Sequence, residues 1–203
     1  MDQRKFPEYT IILRNYTQVQ ANAVLEAIVG LEADFAVEVT MNSQNATKII
    51  MQLNQKYGSQ VKIGAGTVLN LSKEKSAIAA GAKFILSACA MSKEMINYAQ
   101  KNKVLAIPGV MTPTGVFQMI NYGADIVKIF PATVIGPSFF KEIQGPLGDL
   151  DLMAVGGVSE YNIKKFKDNR VKYFGIGSNA FNQLDIDNLN VKGLQNSLLK
   201  LVK

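Results

Sequence analysis

The sequence predicts an α/β fold, a closed (β/α)8 TIM barrel, on three observations. Short β-like runs recur every 20 to 30 residues, each is followed by a segment of helical character, and there are eight of them. About 25 residues per unit is compact for a barrel, and a doubly wound open sheet is the alternative. No linker or low-complexity stretch interrupts the cycle, so residues 1–203 read as one domain.

The first run, YTIILR (9–14), is aromatic and β-branched and ends on an arginine. QVQANAVLEAIVG (18–30) reads as a helix stopped by Gly30. The second run, DFAVEVTM (34–41), sends alternate side chains to opposite faces. Phe35, Val37, Val39 and Met41 then face the outer helices, while Ala36, Glu38 and Thr40 face the barrel axis. Ser43 and Gly58 are placed to cap and stop the next helix (43–58), and Ser72 and Gly81 do the same after VKIGAGTV (61–68). KFILSA (83–88) precedes a helix over 92–101 with Ser92 as N-cap.

VLAIPGV (104–110) is the fifth run. Pro108 and Pro113 stiffen the loop that follows it, where Thr112 or Thr114 can cap the next helix. The sixth, DIVKIFPA (125–132), carries a lysine inside an apolar stretch. Parity turns Ile126, Lys128 and Phe130 inward and Val127 and Ile129 outward. LMAVGG (152–157) and KYFGIGS (172–178) complete the eight, and a terminal helix lies near 188–202.

Composition bounds the chemistry. At 203 residues, 48% hydrophobic and 19% charged, the chain can bury one substantial core and has the balance of a soluble globular protein. It shows neither a secretory signal nor a membrane span. Cys89 is the only cysteine, which rules out an intrachain disulfide, fits the reducing cytoplasm, and is read as a small packing residue. The absence of histidine removes His-based triads, histidine general bases and the common zinc sites together. The net charge of +6 raises the question of a nucleic-acid partner, but the lysines are scattered over polar helix faces, as on a solvated surface. An anionic small-molecule substrate also fits.

Glu38 and Lys128 are therefore expected in one cavity, with Arg14 joining them at the end of the first strand. An amine held among apolar groups loses hydration, which favours its uncharged, nucleophilic form. Arg14 pushes the same way and Glu38 pushes back. Such a pair suits Schiff-base chemistry on a carbonyl, with the carboxylate moving protons. The plain structural alternative is a buried ion pair, a costly arrangement. Gly156, Gly157, Gly177 and Ser178 end the last two strands in glycine-rich turns, the place where barrels often bind phosphate through backbone N–H groups. Thr67, in GAGTV, can donate its hydroxyl to a substrate carboxylate. Pro108, in a loop able to line the pocket, and Phe130, turned inward by parity, are further candidate substrate contacts.

Read together, ILR (12–14), EVTMNS (38–43), IGAGTVL (63–69), PGVMTPTG (108–115), VKIFPA (127–132) and AVGG (154–157) resemble a known family nearly end to end. It is that of the class I aldolases acting on 2-keto-3-deoxy-6-phosphogluconate, its galactonate epimer, or 4-hydroxy-2-oxoglutarate. The resemblance implies Lys128 as the Schiff-base lysine, Glu38 as general acid/base, Thr67 near the pyruvate carboxylate, and the glycine turns with Ser178 around the distal phosphate. It implies no metal or organic cofactor, a homotrimer, and neither nucleic-acid nor membrane partners. Asn42 stands where the phosphogluconate branch has an arginine, whereas Asn42 and Arg14 together are similar to the galactonate branch. LSACA (86–90) replaces the usual Ser-Pro-Gly. The rival readings are a phosphosugar isomerase or epimerase barrel, and a non-catalytic protein that binds a phosphorylated acid.

Overall fold

The computed structural model describes residues 6–202; residues 1–5 and 203 of the expected domain lie outside the described residues. Nine parallel strands form one sheet: β1 (Tyr9–Leu13), β2 (Phe35–Thr40), β3 (Lys62–Gly66), β4 (Phe84–Leu86), β5 (Leu105–Ile107), β6 (Gly109–Val110), β7 (Val127–Ile129), β8 (Leu152–Val155) and β9 (Tyr173–Ile176). Their order is β5-β4-β3-β2-β1-β9-β8-β7-β6. The two ends of that order are consecutive in the chain, joined by Pro108 alone, so the sheet closes on itself as a (β/α)8-type barrel. A doubly wound sheet would reverse its strand order part-way, and this one does not.

The ninth strand corrects the expected eight. Proline has no N–H to give a ladder, so the fifth run splits at Pro108 into two short strands. The halves serve opposite neighbours. Ser87 N–H donates to the Ile107 carbonyl at 3.0 Å on one side, while the Lys128 N–H donates to the Pro108 carbonyl at 2.9 Å on the other.

Side-chain alternation divides the core into two layers. Ile12, Ala36, Phe84, Leu86, Ile107, Ile126, Met153 and Val155 fill the barrel interior, and Phe6 packs among them. The Phe6 and Phe84 rings meet edge to face at 5.1 Å. The other layer lies between strands and helices, where Phe35, Val37, Val39, Val127 and Ile129 meet Val24, Leu25, Ile50, Leu53 and Leu198. Parity along β2 and β7 is thus as the sequence predicts.

The helices after β1 to β4 are Gln18–Ile28, Ala46–Tyr57, Leu71–Ala79 and Lys93–Lys101. Ser92 caps the last of these and Thr112 caps Pro113–Asn121, each accepting an N–H three residues on. Ser43 and Ser72 do not cap. Asn45 opens its helix in left-handed conformation, and Asn70 takes the place expected of Ser72 by accepting the Lys73 N–H. Ser43 instead accepts the Asn15 N–H at 2.8 Å, tying the β1 loop to the β2 loop. Gly30 and Gly81 stop their helices with positive φ, whereas Gly58 stays right-handed.

Several basic residues expected on a solvated surface are paired with acids. Lys167 meets Glu8 at 2.7 Å, and Lys172 meets Asp149 at 2.9 Å and Asp151 at 3.1 Å. Among the described residues no helix is long and apolar enough to cross a membrane.

Because Phe84 spans the barrel floor between Phe6 and the glycine-lined inner face of β3, Phe84→Ala is expected to destabilise the fold by about 3–5 kcal/mol. Urea unfolding followed by far-UV circular dichroism measures it.

Candidate active site

Glu38 is 2% exposed and Lys128 5% exposed, two ionisable side chains sharing the interior of one barrel. β2 carries the first and β7 the second, on opposite sides of the strand order. Each feels the other's charge, as well as that of Arg14. No direct ion pair joins them among the described residues, and Glu38 Oε2 is buried with no hydrogen-bond partner. The plain buried ion pair is therefore not what the barrel holds.

Electrostatics moves both groups toward their uncharged forms. Burial holds the Lys128 amine below the ordinary lysine value, against the pull of the Glu38 carboxylate and with help from Arg14. Burial raises Glu38 above the usual carboxylate range, against the opposing charges of Lys128 and Arg14. Lys128 Nζ lies 4.9 Å from the centre of the Phe130 ring, whose negative face offers an ammonium or iminium partial compensation.

Arg14 is exposed just past the end of β1 and is held in place by its neighbours. Its guanidinium donates to Asn42 Oδ1 at 2.9 Å and to Thr67 Oγ1 at 3.4 Å. Thr67 has φ 54°, a left-handed conformation costly for a β-branched residue. The strain sits at the C-terminal end of β3, where it places the hydroxyl beside Arg14.

Pro108 is buried next to Lys128 and braces its strand through the carbonyl described above. The turn after β8 is built on two left-handed glycines, Gly156 with φ 100° and Gly157 with φ 76°. Thr133 closes it, donating from both N and Oγ1 to the Gly156 carbonyl at 3.2 and 3.1 Å. Gly177 and Ser178 form the neighbouring turn after β9, without positive φ. The Asn179 amide donates to the Val158 carbonyl at 3.4 Å and links the two.

The geometry thus groups Lys128, Glu38, Arg14, Thr67, Pro108 and Phe130, and sets Gly156, Gly157, Gly177 and Ser178 at the ends of the two neighbouring strands. Cys89 is a correction. It is exposed rather than packed, on the loop after β4. The sequence reading also passed over Asn42 as the anchor of Arg14 and Thr133 as the clasp of the glycine turn. For Asn42 the signal was present, since positions 38, 40 and 42 share one parity. For Thr133 there was none.

Comparison with known proteins bears on the fold and the family. The family model "KDPG and KHG aldolase" matches residues 11–196. A probable 2-dehydro-3-deoxy-6-phosphogalactonate aldolase of Rhizobium meliloti is 33% identical over 84% of this chain and 80% of its own. The 2-dehydro-3-deoxy-6-phosphogalactonate aldolase of Escherichia coli is 32% identical over 84% and 82%. The solved structure described as "Native KDPGal structure" superposes on 97% of this chain and 94% of its own, with a TM-score of 0.85 and 28% identity. With the match running through every strand of the barrel, the chain belongs to the KDPG and KHG aldolase family.

Proposed function

We propose that this protein is a class I aldolase that cleaves 2-dehydro-3-deoxy-6-phosphogalactonate or -gluconate to pyruvate and D-glyceraldehyde 3-phosphate, and that it also accepts 4-hydroxy-2-oxoglutarate. The observation that carries the reading is the buried Lys128 amine, shifted toward its free form, in the same barrel interior as the buried Glu38 carboxyl. Lys128 Nζ attacks the C2 ketone and water leaves, giving a protonated imine that accepts an electron pair. Glu38 takes the proton of the C4 hydroxyl, the C3–C4 bond breaks, and the aldehyde departs. The enamine left on Lys128 regains a proton at C3, and hydrolysis of the imine frees pyruvate and the amine.

Arg14 and Thr67 bind the carboxylate beside the ketone, the first by charge and the second by its hydroxyl. Phe130 and Pro108 wall the imine. The turns at Gly156, Gly157, Gly177 and Ser178 hold the distal phosphate through backbone N–H groups. One cysteine in the chain fits a cytoplasmic setting.

A homotrimer is part of the same reading. It is supported by apolar side chains left exposed on the helix Pro113–Asn121 and the loop before it, Phe117 at 53%, Ile120 at 36% and Met111 at 50%.

Borohydride added with pyruvate is expected to fix a mass adduct on Lys128, at a rate that rises with pH and levels off below the ordinary lysine value of 10.5, because the uncharged amine is the nucleophile. An unlabelled Lys128 would defeat the Schiff base. Lys128→Ala should abolish cleavage, and Glu38→Gln should slow it by about 10²-fold or more. With both epimeric phosphates assayed side by side, the galactonate is expected to show the higher kcat/KM, in line with the two galactonate-phosphate aldolases 33% and 32% identical to this chain. Sedimentation is expected to give a species of three times the 22.2 kDa chain mass, with Phe117→Asp shifting it toward monomer.

A further inference from the structure

We propose that Gly66 is a positioning residue for Glu38: its missing side chain is the space in which the catalytic carboxyl lies. The proposal rests on the role assigned to Glu38 above. A β-carbon built on Gly66 would fall inside the Glu38 carboxyl group, and its three nearest atoms, Oε1, Cδ and Cγ, all belong to Glu38.

The usual reason for a glycine does not apply here. Gly66 is the last residue of β3 and is not among the positive-φ positions, so its backbone is open to any L residue. Register explains the placement. Glu38 pairs with Gly64 and Thr40 pairs with Gly66 along the parallel β2–β3 ladder, and paired positions share a face. Lys62 shares that face by parity at the start of β3, and beyond it the strand gives the inner face two glycines and no further side chain. The space over Gly64 is filled from β4 by the Phe84 ring, where a β-carbon would come within 2.5 Å of Cγ. The space over Gly66 is filled from the other side by Glu38. One strand thus yields its interior volume to its two neighbours, to an apolar ring in the floor and to a carboxyl in the reacting layer.

This differs from a packing role in what a methyl group would displace. At Gly64 it meets the Phe84 backbone carbonyl as well as the ring, which cannot move aside cheaply. At Gly66 the three nearest atoms it meets all belong to one flexible side chain and none to the backbone. Gly66→Ala is therefore tolerated by the fold, while the Glu38 carboxyl is turned out of its place. Lys128, on the opposite side of the barrel, keeps its position.

The test separates the two catalytic groups. Gly66→Ala is expected to melt within a few degrees of wild type and still to give the borohydride adduct of pyruvate on Lys128. Its kcat for cleavage, and its rate of deuterium uptake into the pyruvate methyl group, should each fall by about 10²-fold, with KM changed much less. In a Glu38→Gln background the same substitution should cost less than about threefold more, because the group it acts through is already disabled.

Wild-type kcat in Gly66→Ala, or an equal loss in both backgrounds, would overturn the proposal. Should Gly66→Ala not fold, Glu38→Ala/Gly66→Ala is expected to fold, and its failure to do so would also overturn it. Absence of the adduct in the wild-type enzyme is a separate result, since it would refute the Schiff-base reading whatever Gly66 does.

Discussion

Two ionisable groups sealed in one apolar barrel set the terms for the rest of this molecule. A carboxylate and an ammonium withdrawn from water each lose several kcal/mol of hydration, and mutual attraction restores it only when they touch in good geometry. Glu38 and Lys128 do not touch, so the cheaper solution is partial neutralisation, and burial moves both groups that way. A pair kept for stability alone would close into contact. One kept apart, with burial pushing each group toward its neutral form, is poor for stability and good for chemistry, because the free amine is the species that attacks a ketone.

The barrel makes that separation possible by what each strand brings to the interior. β2 contributes Ala36, Glu38 and Thr40, β7 contributes Lys128, and beside Glu38 and Thr40 β3 contributes only the backbone of Gly64 and Gly66. The seam at Pro108 serves the same end. The proline ends one short ladder and starts another, and its carbonyl fixes the Lys128 N–H, so the strand bearing the reactive amine is anchored at the closure of the sheet. Above this layer Thr67 keeps a left-handed backbone so that its hydroxyl meets Arg14. Such strain is typical where a side chain must be aimed.

Much of this was legible in the amino-acid order because it depends on a period of two. The facing of Glu38, Lys128, Val37 and Ile129 follows from strand alternation, and the closed barrel follows from eight strand–helix cycles. Features decided by local competition were not legible. Ser43 and Ser72 have the chemistry of helix caps, but asparagines at 45 and 70 took those places, and Ser43 was left to accept an N–H from a neighbouring loop. Cys89 is small and apolar by composition, yet the turn after β4 leaves it exposed. GAGTV lies within the run VKIGAGTV, where glycine is otherwise a poor strand former. Its glycines at 64 and 66 are strand residues whose value is volume, which becomes visible only when the β2 and β4 side chains are placed beside them.

Arg14 resolves a difficulty that burial alone would create. Desolvation by itself favours a neutral amine, which is useful, and also a neutral carboxylic acid, which cannot take a proton. The positive guanidinium lowers the pKa of both neighbours. For Lys128 that reinforces burial; for Glu38 it opposes burial. One exposed cation thus has opposite value for charge at the two sites, favouring a free amine beside an ionised base. Asn42 and Thr67, which hold the guanidinium, consequently belong to the acid–base balance of the barrel even though neither carries a charge.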